Sequence, residues 1–275
     1  MGASIYLGKV LSAGTKGCNI ILPNAPSFDP DAQAFITAAG ITDATQKTAI
    51  NTLVVDLKGY SIWSKMKALY PFCGGTNSQH SWNLKNTAQY QISWFGGVTS
   101  SVNGVQFNGM NSYGNTGLNF LTALASANSN SLGYYSGTNL SETKPDPVNM
   151  GVYDNVSNFA AILKSNTTFT SRINLSQINF STAIMKGFFS ASRQSSTLTD
   201  NYINGSQVAT GNSGGSLPNF NCYIGNINIA NVPYGDGYVL NDMRFAYISD
   251  GLNDLEMMNL YTAVQAFNTT LARQV

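Results

Sequence analysis

The chain has 275 residues, a net charge of +1, and only 10% charged side chains, against roughly a quarter in an ordinary soluble domain. That balance supplies no long-range field for nucleic acid or an anionic membrane, so neither is an expected partner. No run approaches the ~18 apolar residues of a membrane-spanning helix. Asn, Ser, Thr and Gly make up most of the polar part, which implies a hydrogen-bonding surface rather than an ionic one.

The three cysteines, Cys18, Cys73 and Cys222, have no metal-ligand spacing, and an odd count argues against a disulfide framework. They read as buried free thiols. The N-terminus lacks the basic region and apolar stretch of a secretory signal.

Residues 1–28 carry short apolar runs, Ile5-Tyr6-Leu7 and Cys18 to Leu22, around Gly14-Thr15-Lys16-Gly17, and read as an arm for attachment or oligomer contact. A helical segment is expected over 29–71. Asp29-Pro30 provides an N-cap and a proline in the first turn, and Phe35, Ile36 and Ala39 form an apolar face before Gly40. Asp43 and Gln46 open a second helix with Ala49, Ile50, Leu53, Val54 and Leu57 at helical spacing. Ile62, Trp63, Met66, Leu69 and Tyr70 predict a third, ended by Pro71.

From Phe72 the period changes to 2. Strands are expected at 80–84, 91–95, 104–107, 112–113, 131–136, 150–153, 159–163, 172–175 and 185–191, with turn signals every ten residues or so. Residues 121–130 read as a small helical or irregular excursion. Around Asn204-Gly205 apolar and polar residues alternate on both sides, the strongest short hairpin signal, because both turn residues must accept positive φ. Asn221 to Gly225 and Met243 to Ile248 follow as strands. Asn253 and Glu256 then cap a closing helix over 253–268, with Leu255, Met258, Tyr261, Val264 and Leu271 expected on its docked face. The fold class is mainly β: a jelly-roll sandwich over 72–275, preceded by three short helices and closed by one.

The run Tyr202-Ile203-Asn204-Gly205, Val208-Ala209-Thr210, then Tyr223-Ile224-Gly225 resembles a pattern of the concanavalin-A-like/laminin-G-like sandwich superfamily. Asn51 to Lys58, Ile62 to Met66 and Leu69 to Phe72, with Ile248 to Asp254 and Asn259 to Leu271, resemble virion-surface proteins of Bacteroidetes-infecting, crAss-like phages. That resemblance implies a sandwich exposed on a head-decorating or fibre protein, a virion-surface location, other virion proteins as partners through residues 1–28, and a homo-oligomer.

Catalytic chemistry finds little support. Gly211-Asn212-Ser213-Gly214-Gly215 has the look of a protease nucleophile loop, but the glycines fall between strands that need a flexible connection. His80 is the single histidine, so a multi-histidine metal site is excluded and a lone base has no partner motif. The glutamates are Glu142 and Glu256, in a loop and a helix cap, without the paired-carboxylate strand of sandwich glycosidases. No enzyme activity, cofactor or metal is expected. For calcium, Asp236 with Asp242, then Asp146 with Asp154, read as turn residues. Glycan contact, the alternative function, as host-receptor recognition by a tail fibre, needs an exposed aromatic platform. Tyr134, Tyr135 and Tyr234 with Asp236 and Asp242 qualify by type, whereas Trp63, Trp82 and Trp94 are expected in the core.

Overall fold

The computed structural model describes residues 28–139, 141–174, 176–212 and 214–275. The arm expected over 1–28 lies outside these except for Phe28, as does Ser213.

Two helices lead: α1 (Pro30–Ala38), where the Asp29 side chain accepts from Asp31 N at 3.0 Å, and α2 (Ala44–Gly59), where Asp43 accepts from Gln46 N at 2.8 Å. Their predicted faces, including Phe35, Ile36, Ile50, Leu53 and Leu57, are buried. The third predicted helix does not form. A single 3₁₀ turn (Trp63–Lys65) runs into strand β1 (Met66–Tyr70). Met66 and Leu69 face the helices while Ala68 and Tyr70 face the other way, into the sandwich. A strand buried on both sides is apolar on both sides, and here that run falls at helical spacing. Residues 80–84 are a second departure: Thr76 caps a one-turn helix α3 (Asn77–His80), and 81–84, where a strand was expected, follow it as turn and irregular chain.

Next in order come β2 (Ser93–Phe95), β3 (Thr99–Ser101), β4 (Gly104–Gln106), β5 (Tyr113–Asn119), α4 (Phe120–Ala123), β6 (Asn130–Ser136), β7 (Val148–Tyr153), β8 (Phe159–Lys164) and β9 (Thr168–Asn174). They continue with β10 (Ser176–Ser181), β11 (Gly187–Arg193), β12 (Thr199–Ile203), β13 (Ser206–Gly211), β14 (Asn221–Ile224), β15 (Ile227–Ile229), β16 (Val232–Pro233), β17 (Asp242–Ser249) and α5 (Asp254–Thr270). The hairpin at Asn204-Gly205 forms, with both φ values positive, at 50° and 76°. Strand β10 escaped the sequence reading because it follows β9 almost without a break.

The strands make a two-sheet sandwich. Sheet one runs β13-β12-β11-β6-β17-β4-β3, with β1 also on β17. Sheet two runs β10-β9-β8-β7-β14-β5-β2, with β15 parallel to β7 and β16 beside it. Phe107, Phe120, Tyr134, Phe169 and Phe189 fill the space between them. A second core lies between the outer face of sheet one and α1, α2 and α5. The helices therefore form a third layer, and the boundary expected at residue 71 cuts through packed structure, since β1 belongs to sheet one.

Helix α5 carries the expected reciprocal cap, Glu256 N to Asn253 Oδ1 at 3.0 Å and Asn253 N to Glu256 Oε2 at 2.9 Å. Its docked face is centred on Met257, Leu260, Ala263, Val264 and Phe267; of the expected set Val264 is buried and Tyr261 and Leu271 pack at its edge, whereas Leu255 and Met258 are 70% and 40% exposed. Steps of three residues drift about 60° backwards each time on a 3.6-residue helix, so that series swings from solvent to core.

Past α5, Ala272 turns left-handed (φ 53°), with Ala272 N bonded to Thr269 O and Arg273 N to Asn268 O. This is a Schellman stop with alanine in the position glycine usually takes. It sends the Arg273 side chain back into the protein. Its five N–H groups reach Asn268 Oδ1 (2.9 Å), Phe72 O (3.0 Å), Val102 O (3.3 Å), Pro71 O (2.6 Å) and Arg244 O (2.9 Å). Burial lowers its ionisation to about 10, so it is charged at neutral pH. His80 lies nearby, 1% exposed and against Phe72, with neither ring nitrogen bonded. Burial, then the Arg273 charge, pushes it down to about 3.

Arg273→Ala is expected to cost about 3 kcal/mol or more, because it strands buried carbonyl oxygens; Arg273→Lys, which cannot reach all five, should recover only part. Urea denaturation reads both, and an unchanged midpoint for Arg273→Ala would refute the role. His80 binds its proton in the unfolded chain near pH 6.5 and in the folded chain only near 3. Between those values the unfolded state holds more protons, so stability should fall as pH drops through that window. His80→Gln should flatten that part of the stability–pH curve, and an identical curve would contradict the assignment.

Candidate functional site

The five residues singled out for glycan contact go to different places. Tyr134 is fully buried between the sheets, stacked on Phe189 at 5.5 Å. Tyr135, its neighbour on β6, points the opposite way, beneath the helices, and donates to Gln265 Oε1 at 2.8 Å. Neither offers a ring to solvent, because adjacent strand residues face opposite sides and β6 is covered on both. Asp242 is occupied within sheet one, accepting from Gly137 N at 2.9 Å and pairing with Arg244 at 3.3 Å. Asp236 is exposed at a loop tip. Tyr234 alone reaches a concave site.

That site is a groove of about 170 Å³ on the outer face of sheet two, the sandwich face that the helical layer does not cover. Alternation builds it. Outward residues of β7 are Val148, Gly151 and Tyr153; of β8, Phe159, Ala161 and Leu163; of β9, Arg172. Ile227 and Ile229 of β15 close one side. The floor is low because two small residues face each other. Gly151 pairs with Ala161, and a Cβ on Gly151 would stand 2.7 Å from the Cβ of Ala161.

The rim is aromatic. Tyr153 and Phe159, a directly opposed pair, stack with ring centroids 3.8 Å apart and planes at 5°. The loop joining their strands is closed by Asp154, whose Oδ1 accepts from Val156 N, Ser157 N and Asn158 N at 2.9 Å each. Burial pulls the Asp154 carboxyl upward, but those donors and the Asn158 side chain outweigh it and hold the carboxyl below its ordinary value. Tyr234 is set in place by buried Asn226, which accepts from Tyr234 N (3.2 Å) and donates to Tyr234 O (3.0 Å). Val148 N also donates to Gly237 O at 2.9 Å, pinning the loop to β7.

The polar groups are few. Arg172 lies over Phe159 at 5.2 Å, and its Nε donates to Gln177 Oε1 at 2.7 Å. Asp146 borders the groove on the loop before β7. Among the described residues neither Arg172 nor Asp146 has an ion-pair partner, and the hydroxyls of Tyr153 and Tyr234 meet no protein acceptor. A second depression of about 380 Å³, lined by Asn155, Ala230 and Val232, shares Ile229 and Tyr234 with the first.

Outside this face, the tryptophans expected in the core are half-buried; Trp94 keeps its indole N–H on Asn77 O at 2.9 Å, and Lys85 sits over Trp63 at 4.4 Å. Glu142 accepts from Leu240 N at 2.8 Å, and burial raises its carboxyl to about 7. Among the described residues no three His, Cys, Asp or Glu side chains gather as around a metal ion.

Sequence reasoning missed Tyr153, Phe159 and Arg172. Their common parity on three consecutive strands was the available signal, but it appears only once the register is known.

No known family model matches this chain, and no curated protein matches it. Similar solved structures include the binding domain of botulinum neurotoxin DC in complex with rat synaptotagmin II (16% identity, 74% of this chain, 53% of that one, TM-score 0.49). The NanB sialidase of Streptococcus pneumoniae is another (12% identity, 56% of this chain, 26% of that one, TM-score 0.41). The chain thus spans between a quarter and about half of these proteins. At such scores neither likeness bears on what the groove binds.

Proposed function

We propose that this chain is a non-catalytic, sugar-binding jelly roll carried on the surface of a phage particle, with the outer face of sheet two as its binding face. The groove is the observation that carries this reading. A sugar ring presents a C–H face and a rim of hydroxyls. Tyr234 and Tyr153 suit the first, backed by Phe159, whose ring packs against both Tyr153 and Arg172, and the free phenol hydroxyls, Arg172 and Asp146 suit the second. The sheet holds Tyr153, Phe159 and Arg172, and Asn226 pins Tyr234, so little ordering cost falls on binding.

Hydrolysis is no part of the reading. Asp146 is the single carboxylate among the described residues lining the groove, whereas the common glycosidase mechanism uses two flanking the bond. His80 is buried and cannot serve as a base toward a solvent-borne substrate.

The virion setting rests on the residue patterns at both ends of the chain that resemble crAss-like phage surface proteins. In this setting the chain decorates the head or forms a fibre, contacts other virion proteins through residues 1–28, and self-associates. A hydrogen-bonding surface with few charges accords with it.

On a glycan array the intact chain should bind a subset of saccharides, and Phe159→Ala or Tyr234→Ala should weaken that binding about tenfold or more. No binding at high protein concentration sinks the sugar reading. Gold-conjugated antibody against the sandwich should decorate intact particles of the phage that encodes the chain, around the head for a decoration protein or at the tail for a receptor-binding fibre. Particles without gold would remove the virion address.

A further inference from the structure

We infer that the groove takes an acidic oligosaccharide, with a sugar carboxylate on Arg172 and the neighbouring unit across Tyr234 in the second depression. This rests on the sugar-binding reading and narrows it to a class of glycan.

Arg172 is the reason for the acid. Its guanidinium is fixed twice, by the Phe159 ring at 5.2 Å and by the bond from Nε to Gln177 Oε1 at 2.7 Å. Gln177 is itself tied to Asn179 at 3.0 Å, and Thr170 donates to the same Asn179 oxygen at 2.9 Å. Both restraints leave the two terminal nitrogens without an acceptor among the described residues. A planar fork of donors held in one orientation matches the two oxygens of a carboxylate, and because it is already ordered, less entropy is lost on binding. The other arginines described place their terminal nitrogens on protein oxygens: Arg193 on Gly214 O and Asn128 Oδ1, Arg244 on Gly137 O and Asp242 Oδ2, and Arg273 on four backbone carbonyls. Arg172, oriented at the lip of an aromatic groove with only its Nε bonded among the described residues, differs from all three.

Asp146 does not oppose this arrangement. It lies toward the Val148 and Leu163 end of the groove, a cross-strand pair, whereas Arg172 is opposite Ala161, two residues along β8. The groove therefore has a cationic end for a carboxylate and an anionic end that accepts from hydroxyl groups.

Length follows from Tyr234. At about 170 Å³ the first depression is below the ~300 Å³ where sites for drug-sized ligands begin. The second, at about 380 Å³, adjoins it, with Ile229 and Tyr234 lining both. A ligand of two or more linked rings can stack on both sides of one tyrosine, which a monosaccharide cannot.

The test is isothermal titration of the full chain with a uronic-acid disaccharide, its uncharged hexose counterpart, and the uronic acid alone. The acidic disaccharide should bind at least about tenfold more tightly than either of the others. Arg172→Gln should bring the acid-to-neutral ratio close to one, and Arg172→Lys should restore part of it, with thermal melting matching the parent in both. Equal affinity for acidic and neutral disaccharides, or a preference that survives Arg172→Gln, overturns the acidic assignment while leaving sugar binding intact. A uronic acid that binds as tightly as its disaccharide removes the second depression from the site. No heat with any saccharide fails both readings, and a concentration-dependent dimer broken by Tyr234→Ala would show that a second copy of the chain covers the face instead.

Discussion

Arg273 brings five N–H donors into a site whose acceptors are four backbone carbonyls and one amide oxygen. Those oxygens belong to the segment entering from β1, the β3–β4 turn, β17 and α5. One side chain thereby joins the helical layer to an end of the sandwich. Its charge is balanced by dipoles, so removing it would leave several buried oxygens with neither protein nor water. The arrangement depends in turn on Ala272 adopting a left-handed conformation, without which α5 would carry the chain outward. The uncharged state of His80 follows from the same neighbourhood, since a second cation beside a buried guanidinium is doubly unfavourable.

With the helices committed to sheet one, the two sheets have different outer faces. Sheet one is sealed by α1, α2 and α5, and its outward aromatic residues, Tyr135, Phe188, Phe245 and Tyr247, are core. Among the described residues sheet two has no such cover, and Tyr113, Tyr153 and Phe159 on its outer face remain partly accessible. The same residue types thus have opposite roles according to which sheet carries them. The groove exists because Gly151 and Ala161 keep the middle of that face low while Tyr153, Phe159 and Tyr234 raise its edges. Rigid strands, not mobile loops, hold most of these groups. That is the construction expected of a surface that recognises ligand shape without rearranging.

The candidate site was partly legible before the structure. Tyr234, Tyr134 and Tyr135 stood out for one reason, their residue type, since a sugar needs an aromatic platform. For Tyr134 and Tyr135 it misled, since a pair of adjacent tyrosines on a central strand must enter two different cores. Asp242 is a strand residue with an arginine two positions on, a spacing that puts both on one face of the strand and lets them pair. Tyr153, Phe159 and Arg172 gave no local signal, since each is an ordinary strand residue until the register sets them side by side.

What the sequence by itself determined is local. The caps at Asp29, Asp43 and Asn253, the apolar face of α2, the Asn204-Gly205 turn and the alternation of most strands depend on interactions within a few residues, and these could be read directly. Whether Ile62 to Tyr70 became helix or strand, which way α5 rolled, and which aromatic residues stayed exposed were decided only by tertiary structure. The physical reason is the same in each case. A run apolar on both sides satisfies more than one local geometry, and only the tertiary partner, β17 beside β1 within sheet one and sheet one beneath α5, selects among them. The candidate face is the extreme instance: it is the surface the helices left uncovered, and no stretch of chain contains that information.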